Sequence, residues 1–271
     1  MSTPAQRLAH LGLTAKKSLG QHFLHDRRIV QRICDVAEIR PGASIVEIGP
    51  GIGILTEELA RRAKTVVAIE KDAALAGALA PVTPPNVAIL NADALKFDIG
   101  ELGDDPYELV ANLPYNVATA ILRRFLDAPN PPQRCTFMVQ REVAERMVAR
   151  PPDMNILAIA MQFHGVPKIA FHVGSGAFTP PPRVASAVVH MPVARSFDVP
   201  QAQLGQFFNL VRAGFSARRK TLRNSLLVGG LDGQTLDAML EQAGVDGTNR
   251  PQQLGVDAWH ALFVARQRTD L

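Results

Sequence analysis

The sequence predicts an α/β protein: a Rossmann-like, mostly parallel sheet followed by a small all-helical C-terminal domain. Three observations predict it. Short β-branched runs alternate with amphipathic helical patterns from residue 44 to about residue 191. Several of those runs end in a glycine, an acid or an amide, at the strand ends where open sheets bind ligands. After Phe197-Asp198-Val199-Pro200 the strand pattern stops, and Leu204, Phe207, Phe208, Val211 and Phe215 recur at helical spacing. The expected division is an N-terminal arm over 1–25, a sheet domain over 26–197 and a helical domain over 198–271.

Residues from about 26 to 40 read as a helix with Ile29, Val30, Ile33, Val36 and Ala37 on one face. Ser44-Ile45-Val46-Glu47-Ile48 reads as a strand, Gly49-Pro50-Gly51-Ile52-Gly53 as a turn, and Ile54 to Leu59 as the start of a helix. A glycine-rich turn from strand to helix lets backbone approach a ligand, and the helix N-terminus favours negative charge. The dinucleotide fingerprint needs glycine at position 54; here glycine comes one position early, at Gly53. The next strand, 65–69, ends on Glu70, placed about 20 residues after the turn to accept from ribose hydroxyls. A third, 87–90, runs into Asn91-Ala92-Asp93, where Asp93 can accept from an adenine amine. Taken singly, each acid reads sooner as a solvated loop carboxylate; the ordered set carries more weight.

Leu109, Val110 and Ala111 form a fourth buried run, and Asn112-Leu113-Pro114-Tyr115 follows where the chain turns. An amide, a main-chain carbonyl near Pro114 and a flat ring suit a planar base carrying an exocyclic amine. Such an amine is a poor nucleophile, because its lone pair is delocalised into the ring. Two acceptors, the Asn112 oxygen and the main-chain oxygen, can hold both N–H bonds and favour a pyramidal nitrogen. Tyr115 reads as a stacking platform, since a phenol with a reference pKa of about 10 is no general base at neutral pH. Alone, the tetrapeptide is equally an ordinary turn.

A G-x-G-x-G turn with an acid in the preceding strand is similar to that of S-adenosylmethionine-dependent methyltransferases. Val46-Glu47-Ile48-Gly49-Pro50-Gly51 and Asn112-Leu113-Pro114-Tyr115-Asn116 are accompanied by three further segments. These are Lys17-Ser18-Leu19-Gly20-Gln21-His22-Phe23-Leu24, Phe178-Thr179-Pro180-Pro181-Pro182-Arg183-Val184 and Arg218-Arg219-Lys220-Thr221-Leu222-Arg223-Asn224. Together, from Lys16 to about Leu262, they resemble the rRNA adenine N6-dimethyltransferases, most closely the branch acting on bacterial 16S rRNA. The resemblance implies a methyltransferase sheet, S-adenosylmethionine as cofactor, and dimethylation of two adjacent adenosines near the 3′ end of 16S rRNA. The RNA partner would be the small ribosomal subunit or its precursor. It implies further that His22, Leu24, Gly49, Gly51, Glu70, Asp93 and Asn112 line the cofactor site. Asn112, Leu113, Pro114 and Tyr115 would serve the transfer, with Phe178 stacked on the target base opposite Tyr115. Lys16, Lys17, Arg218, Arg219, Lys220 and Arg223 would contact RNA. Two departures stand out: Ala120 replaces a usual proline, and Pro151-Pro152-Asp153-Met154-Asn155-Ile156 replaces a Gly-Ser-Lys-x-Tyr type segment. The alternatives are a 23S rRNA dimethylase of the antibiotic-resistance type and a largely non-catalytic rRNA-binding assembly factor.

Composition is compatible with these readings. The 271 residues can bury a core without cross-links, and the formal charge of +4 permits a polyanionic partner. The first acid is Asp26, so the opening segment with Arg7, Lys16 and Lys17 is purely basic. From charge alone the Arg218 cluster is as well explained by a solvated helix face. Cys34 and Cys135 make neither a disulfide framework nor a metal set and are expected to be buried. No histidines pair at H-x-x-x-H spacing, so no metal is expected. No run approaches the ~20 apolar residues that span a bilayer. The acid-free opening resembles a mitochondrial transit peptide, but the signature from Lys16 leaves too little chain to be removed. A monomer in the cytoplasm is expected.

Overall fold

The computed structural model describes residues 6, 7, 9, 12, 22–194 and 197–269. Lys16, Lys17 and the signature residues 17–21 lie outside them. The chain forms two compact units, Met1–Ala144 with Pro167–Val193 and Glu145–Val166 with Ala194–Leu271.

The first unit is built on a seven-stranded sheet. Its strands are β2 (Ser44–Ile48), β3 (Thr65–Glu70), β4 (Val87–Asn91), β5 (Glu108–Asn112), β6 (Arg134–Gln140), β7 (Lys168–Val173) and β9 (Ser186–Pro192). They lie in the order β4-β3-β2-β5-β6-β9-β7. β2 to β6 run parallel, while β9 is antiparallel to both β6 and β7. The central strands are apolar runs buried on both faces, as parallel strands require; Leu109, Val110 and Ala111 of β5 are all buried. One charged pair is tolerated: Glu108 of β5 faces Arg134 of β6 in register and forms an ion pair with it. The chain places β3 and β4 on one side of β2 and β5 on the other. That reversal opens a crevice beyond the carboxyl ends of β2 and β5.

Helices follow the strands where side chains can cap them. Asp26 accepts from Arg28 N–H at the head of helix Arg27–Val36, and Asp72 does so from Ala74 N–H ahead of Ala73–Leu79. The helix Ile54–Arg62 begins without a side-chain cap, directly from Gly53 in the left-handed region at φ 78°. Two short strands, β1 (Phe23–Leu24) and β8 (Phe178–Thr179), pair antiparallel outside the main sheet, Leu24 opposite Phe178.

The second unit is helical: Ile156–Gln162, Leu204–Gly214, Leu222–Val228, Gly233–Ala243 and Val256–Thr269. Its core gathers Phe163, Phe207, Phe208, Trp259 and Phe263, with the Phe163 and Phe207 rings 4.7 Å apart. The expected division at residue 197 assigned 145–166 to the sheet domain; the structure groups that segment with the C-terminal helices instead. The reason is burial: Ala158, Ile159, Ala160 and Phe163 are apolar and enter the helical core. The unusual 151–156 segment ends in the cap of that helix. Asn155 Oδ1 accepts from Ala158 N–H at 3.1 Å and Nδ2 donates to the Arg146 carbonyl at 2.9 Å.

Candidate active site

A cavity of about 380 Å³ lies at the carboxyl ends of the parallel strands, within the size range of small-molecule sites. It brings together His22, Leu24, Gly49, Gly51, Glu70, Asp93, Asn112, Leu113, Pro114 and Tyr115.

The glycine turn forms its floor. Gly49, Gly51 and Gly53 have φ of 70°, 58° and 78°, a region that side-chain-bearing residues rarely adopt. At Gly51 a Cβ would also sit 3.1 Å from the Phe23 ring. Opposite the turn, Glu70 at the end of β3 accepts from Asp72 N–H at 2.8 Å and, more weakly, from Gly51 N–H at 3.4 Å. Burial pushes the Glu70 carboxyl up from its ordinary value, and those two N–H donors oppose the shift. Glu47 of β2 also lines the cavity and is only 1% exposed. Burial pushes its carboxyl up to about 8, with the Thr56 hydroxyl opposing and Glu70 reinforcing. Among the described residues Glu47 Oε2 has no hydrogen-bond partner.

Asp93 accepts from Leu95 N–H at 3.0 Å through Oδ1, while Oδ2 lies 2.9 Å from Lys71 Nζ. The hydrogen bond from Lys71 holds Asp93 below the usual carboxylate value. Lys71 lines the cavity with it.

The loop after β5 forms another wall, beside Gly49. Asn112 ends the strand, Leu113 N–H donates to the Met138 carbonyl at 3.2 Å, and Pro114 O accepts from Val117 N–H at 3.2 Å. The Pro114 carbonyl keeps a second lone pair. Tyr115 O–H lies 2.6 Å from Ser186 Oγ, a buried hydroxyl at the start of β9. Burial raises the Tyr115 phenol above its ordinary value, with Ser186 opposing, so the ring is neutral at physiological pH. The His22 ring stacks on Tyr115 at 6.1 Å between centroids and 25° between planes. Its Nδ1 donates to Pro180 O at 2.7 Å, because a carbonyl only accepts.

Phe178 is not part of this wall. It is 3% exposed, packs in the core with Phe23 and Leu24, and does not line the cavity. The β1–β8 pairing holds it beside Leu24. Of the expected RNA contacts, Arg218, Arg219 and Lys220 lie exposed in the turn between Leu204–Gly214 and Leu222–Val228. Arg223 instead makes a two-pronged pair with Asp237, at 2.6 and 2.8 Å.

Glu47 and Lys71 are among the wall residues that the sequence left unassigned. Glu47 carried a signal, an acid inside an apolar strand; Lys71 carried none. The donor set fits S-adenosylmethionine: a glycine turn for close backbone approach, Glu70 oriented by backbone N–H groups for hydroxyls, and Asp93 for an amine. Among the described residues no group of three or more His, Cys, Asp or Glu is placed to hold a metal ion.

A family model described as "Ribosomal RNA adenine dimethylase" matches residues 12–267. The chain is 42% identical over 255 residues to the ribosomal RNA small subunit methyltransferase A of Dehalococcoides mccartyi, covering 92% of this chain and 88% of that protein. It is 42% identical over 259 residues to the protein of the same name from Cereibacter sphaeroides, covering 93% and 92%. Among solved structures, a dimethyladenosine transferase from Plasmodium falciparum superposes with a TM-score of 0.79 at 23% identity, over 92% of this chain and 99% of that one. The 23S rRNA methyltransferase ErmE does so with a TM-score of 0.71 at 29% identity, over 90% and 99%. Matched almost end to end, with a methyltransferase sheet and the expected loops around one cavity, the chain belongs to the ribosomal RNA adenine dimethylase family and uses S-adenosylmethionine as methyl donor.

Proposed function

We propose that this enzyme dimethylates N6 of two adjacent adenosines near the 3′ end of 16S rRNA, in the small ribosomal subunit or its precursor. The observation that carries the reading is the placement of Asn112-Leu113-Pro114-Tyr115 on the same cavity as the glycine turn, Glu70 and Asp93. S-adenosylmethionine, when bound, supplies an electrophilic methyl group on a sulfonium. Glu70 and Asp93 orient it. The Asn112 side-chain oxygen and a main-chain oxygen of the loop accept the two N6 hydrogens and localise the amine lone pair. Tyr115 stacks under the base, which must leave its own stack at a cost of a few kcal/mol. Orientation of this kind is worth roughly 7–11 kcal/mol in the best cases. No strong base is required, since attack itself acidifies the nitrogen and the proton can pass to water. Arg218, Arg219 and Lys220 would hold phosphates without reading sequence.

The small-subunit substrate is supported by the relatives' names and by the Phe178–Val184 and Arg218–Asn224 segments; the likeness to ErmE favours the 23S reading as the second. Labelled S-adenosylmethionine, offered with small subunits lacking the modification and with large subunits alongside, separates them. Dimethyladenosine mapped near the 16S 3′ end is the expected product. Label confined to 23S rRNA would establish the second reading, and binding without transfer would leave an assembly factor.

A further inference from the structure

Arg7 belongs, with Lys16 and Lys17, to the purely basic opening segment, whose charge by itself suits a polyanion. Its side chain does something else. Nε donates to the Ile52 carbonyl at 2.6 Å, 45 positions away, and Nη2 forms an ion pair with Glu57 in the first turn of the following helix. The side chain is only 17% exposed. Nη2 also lies 3.4 Å from where a Cβ on Gly53 would stand. Glu57 is met from a second side by Arg27, at 3.4 Å. Burial pushes the Glu57 carboxyl up, and Arg7 and Arg27 together pull it below its ordinary value. One guanidinium thus ties the last carbonyl before the left-handed Gly53 to the first turn of the helix that the turn launches. Arg7 and Glu57 do not line the cavity; Gly51, Ile52 and Ile54 do.

We propose that Arg7 is a positioning residue for the cofactor turn, holding residues 49–53 in the conformation that receives S-adenosylmethionine. The proposal rests on the reading that this turn is the cofactor's seat. A carbonyl held by a charged, planar donor is restrained in direction as well as distance. Gly49, Gly51 and Gly53 are three left-handed positions with little conformational preference of their own, and between them only Pro50 has a fixed φ. An external clamp removes that freedom before binding, so less ordering remains to oppose it. It follows that Arg7 is committed to the turn rather than offered to phosphate.

The test is calorimetric binding of S-adenosylhomocysteine to the full chain without RNA, with Arg7→Ala, Arg7→Lys, Glu57→Gln and the Arg7→Ala/Glu57→Gln double variant. Arg7→Ala should weaken binding about tenfold, equivalent to about 1.4 kcal/mol. Amide exchange of residues 50–57 should speed up, and KM for the methyl donor should rise with kcat little changed. Arg7→Lys should recover part of the affinity, since an ammonium reaches Glu57 but does not present the same fork. The two single losses should not add, because both variants cut the same link. A lower melting temperature with wild-type affinity and wild-type exchange in Arg7→Ala would overturn the proposal and leave Arg7 a structural tie. Glu70→Gln run beside it tells whether the pocket reading falls at the same time: normal binding in both variants removes the cofactor seat itself.

Discussion

The hydroxyls of Tyr115 and Ser186 stand 2.6 Å apart, joining the loop after β5 to the first residue of β9 across 71 positions of sequence. The bond fixes the plane of the ring that faces the cavity, and a neutral phenol can only orient or stack. Tyr115→Phe should therefore retain most turnover. Tyr115→Ala should lose roughly 5- to 150-fold in kcat/KM, as expected for a stacking contact worth about 1–3 kcal/mol. Ser186→Ala should fall near the phenylalanine variant. Steady-state assays on small subunits check this; a phenylalanine variant as poor as the alanine one would assign the hydroxyl a chemical role.

Glu70 is the acid whose two oxygens are both oriented by backbone N–H groups. Glu70→Gln keeps the shape but turns one acceptor into a donor facing those amides. Affinity for S-adenosylhomocysteine should drop roughly 10- to 150-fold, the equivalent of one charge-assisted hydrogen bond at about 1.5–3 kcal/mol. Isothermal titration measures it, and unchanged affinity would remove Glu70 from the ligand set.

Glu47 makes the ligand-free protein sensitive to pH. Its carboxyl is held up to about 8 in the folded state, whereas the unfolded chain ionises it near 4.5. Between those values the folded state binds more protons than the unfolded one, so stability falls as pH rises. The slope from this group is at most about 1.4 kcal/mol per pH unit. Glu47→Gln should flatten that fall, with its largest gain over wild type at pH 8 and little difference at pH 4. Urea unfolding across this range decides it; parallel profiles would mean that Glu47 is ionised in the native state.

Arg218, Arg219 and Lys220 project from an exposed turn, while Arg223 is engaged by Asp237. Each of the first three, changed to alanine, should lower the slope of log K against log salt for RNA binding by about 0.7–0.9. Arg223→Ala should change that slope less. Filter binding at several ionic strengths separates the two classes, and four equal effects would show that the Asp237 pair opens on RNA.

The sheet was legible because buried parallel strands are written as short β-branched runs closed by turn residues. Ser44–Ile48 appears with its expected ends, and the glycine turn and Glu70 fall at the ends of β2 and β3. What escaped is non-local. Nothing in Ile156–Gln162 announces that a helix lying between two sheet strands in sequence packs with Phe207 and Trp259 instead. The β1–β8 pair is two residues long on each side, too short for any periodicity to register, yet it sets the burial of Phe178. Arg7 shows the same limit: in the sequence it is one more cation of a basic opening segment, and only the fold reveals Glu57 and the Ile52 carbonyl beside it.

The most direct test of the account is methyl transfer by Asn112→Ala, measured beside its affinity for small subunits. Asn112 lines the cavity and supplies the side-chain acceptor proposed to localise the N6 lone pair, whereas phosphate contacts are assigned to Arg218, Arg219 and Lys220. Transfer should be abolished while subunit affinity stays close to that of the wild type. Wild-type turnover in this variant would contradict the assignment of the Asn112–Tyr115 loop as the place where the methyl group meets the base.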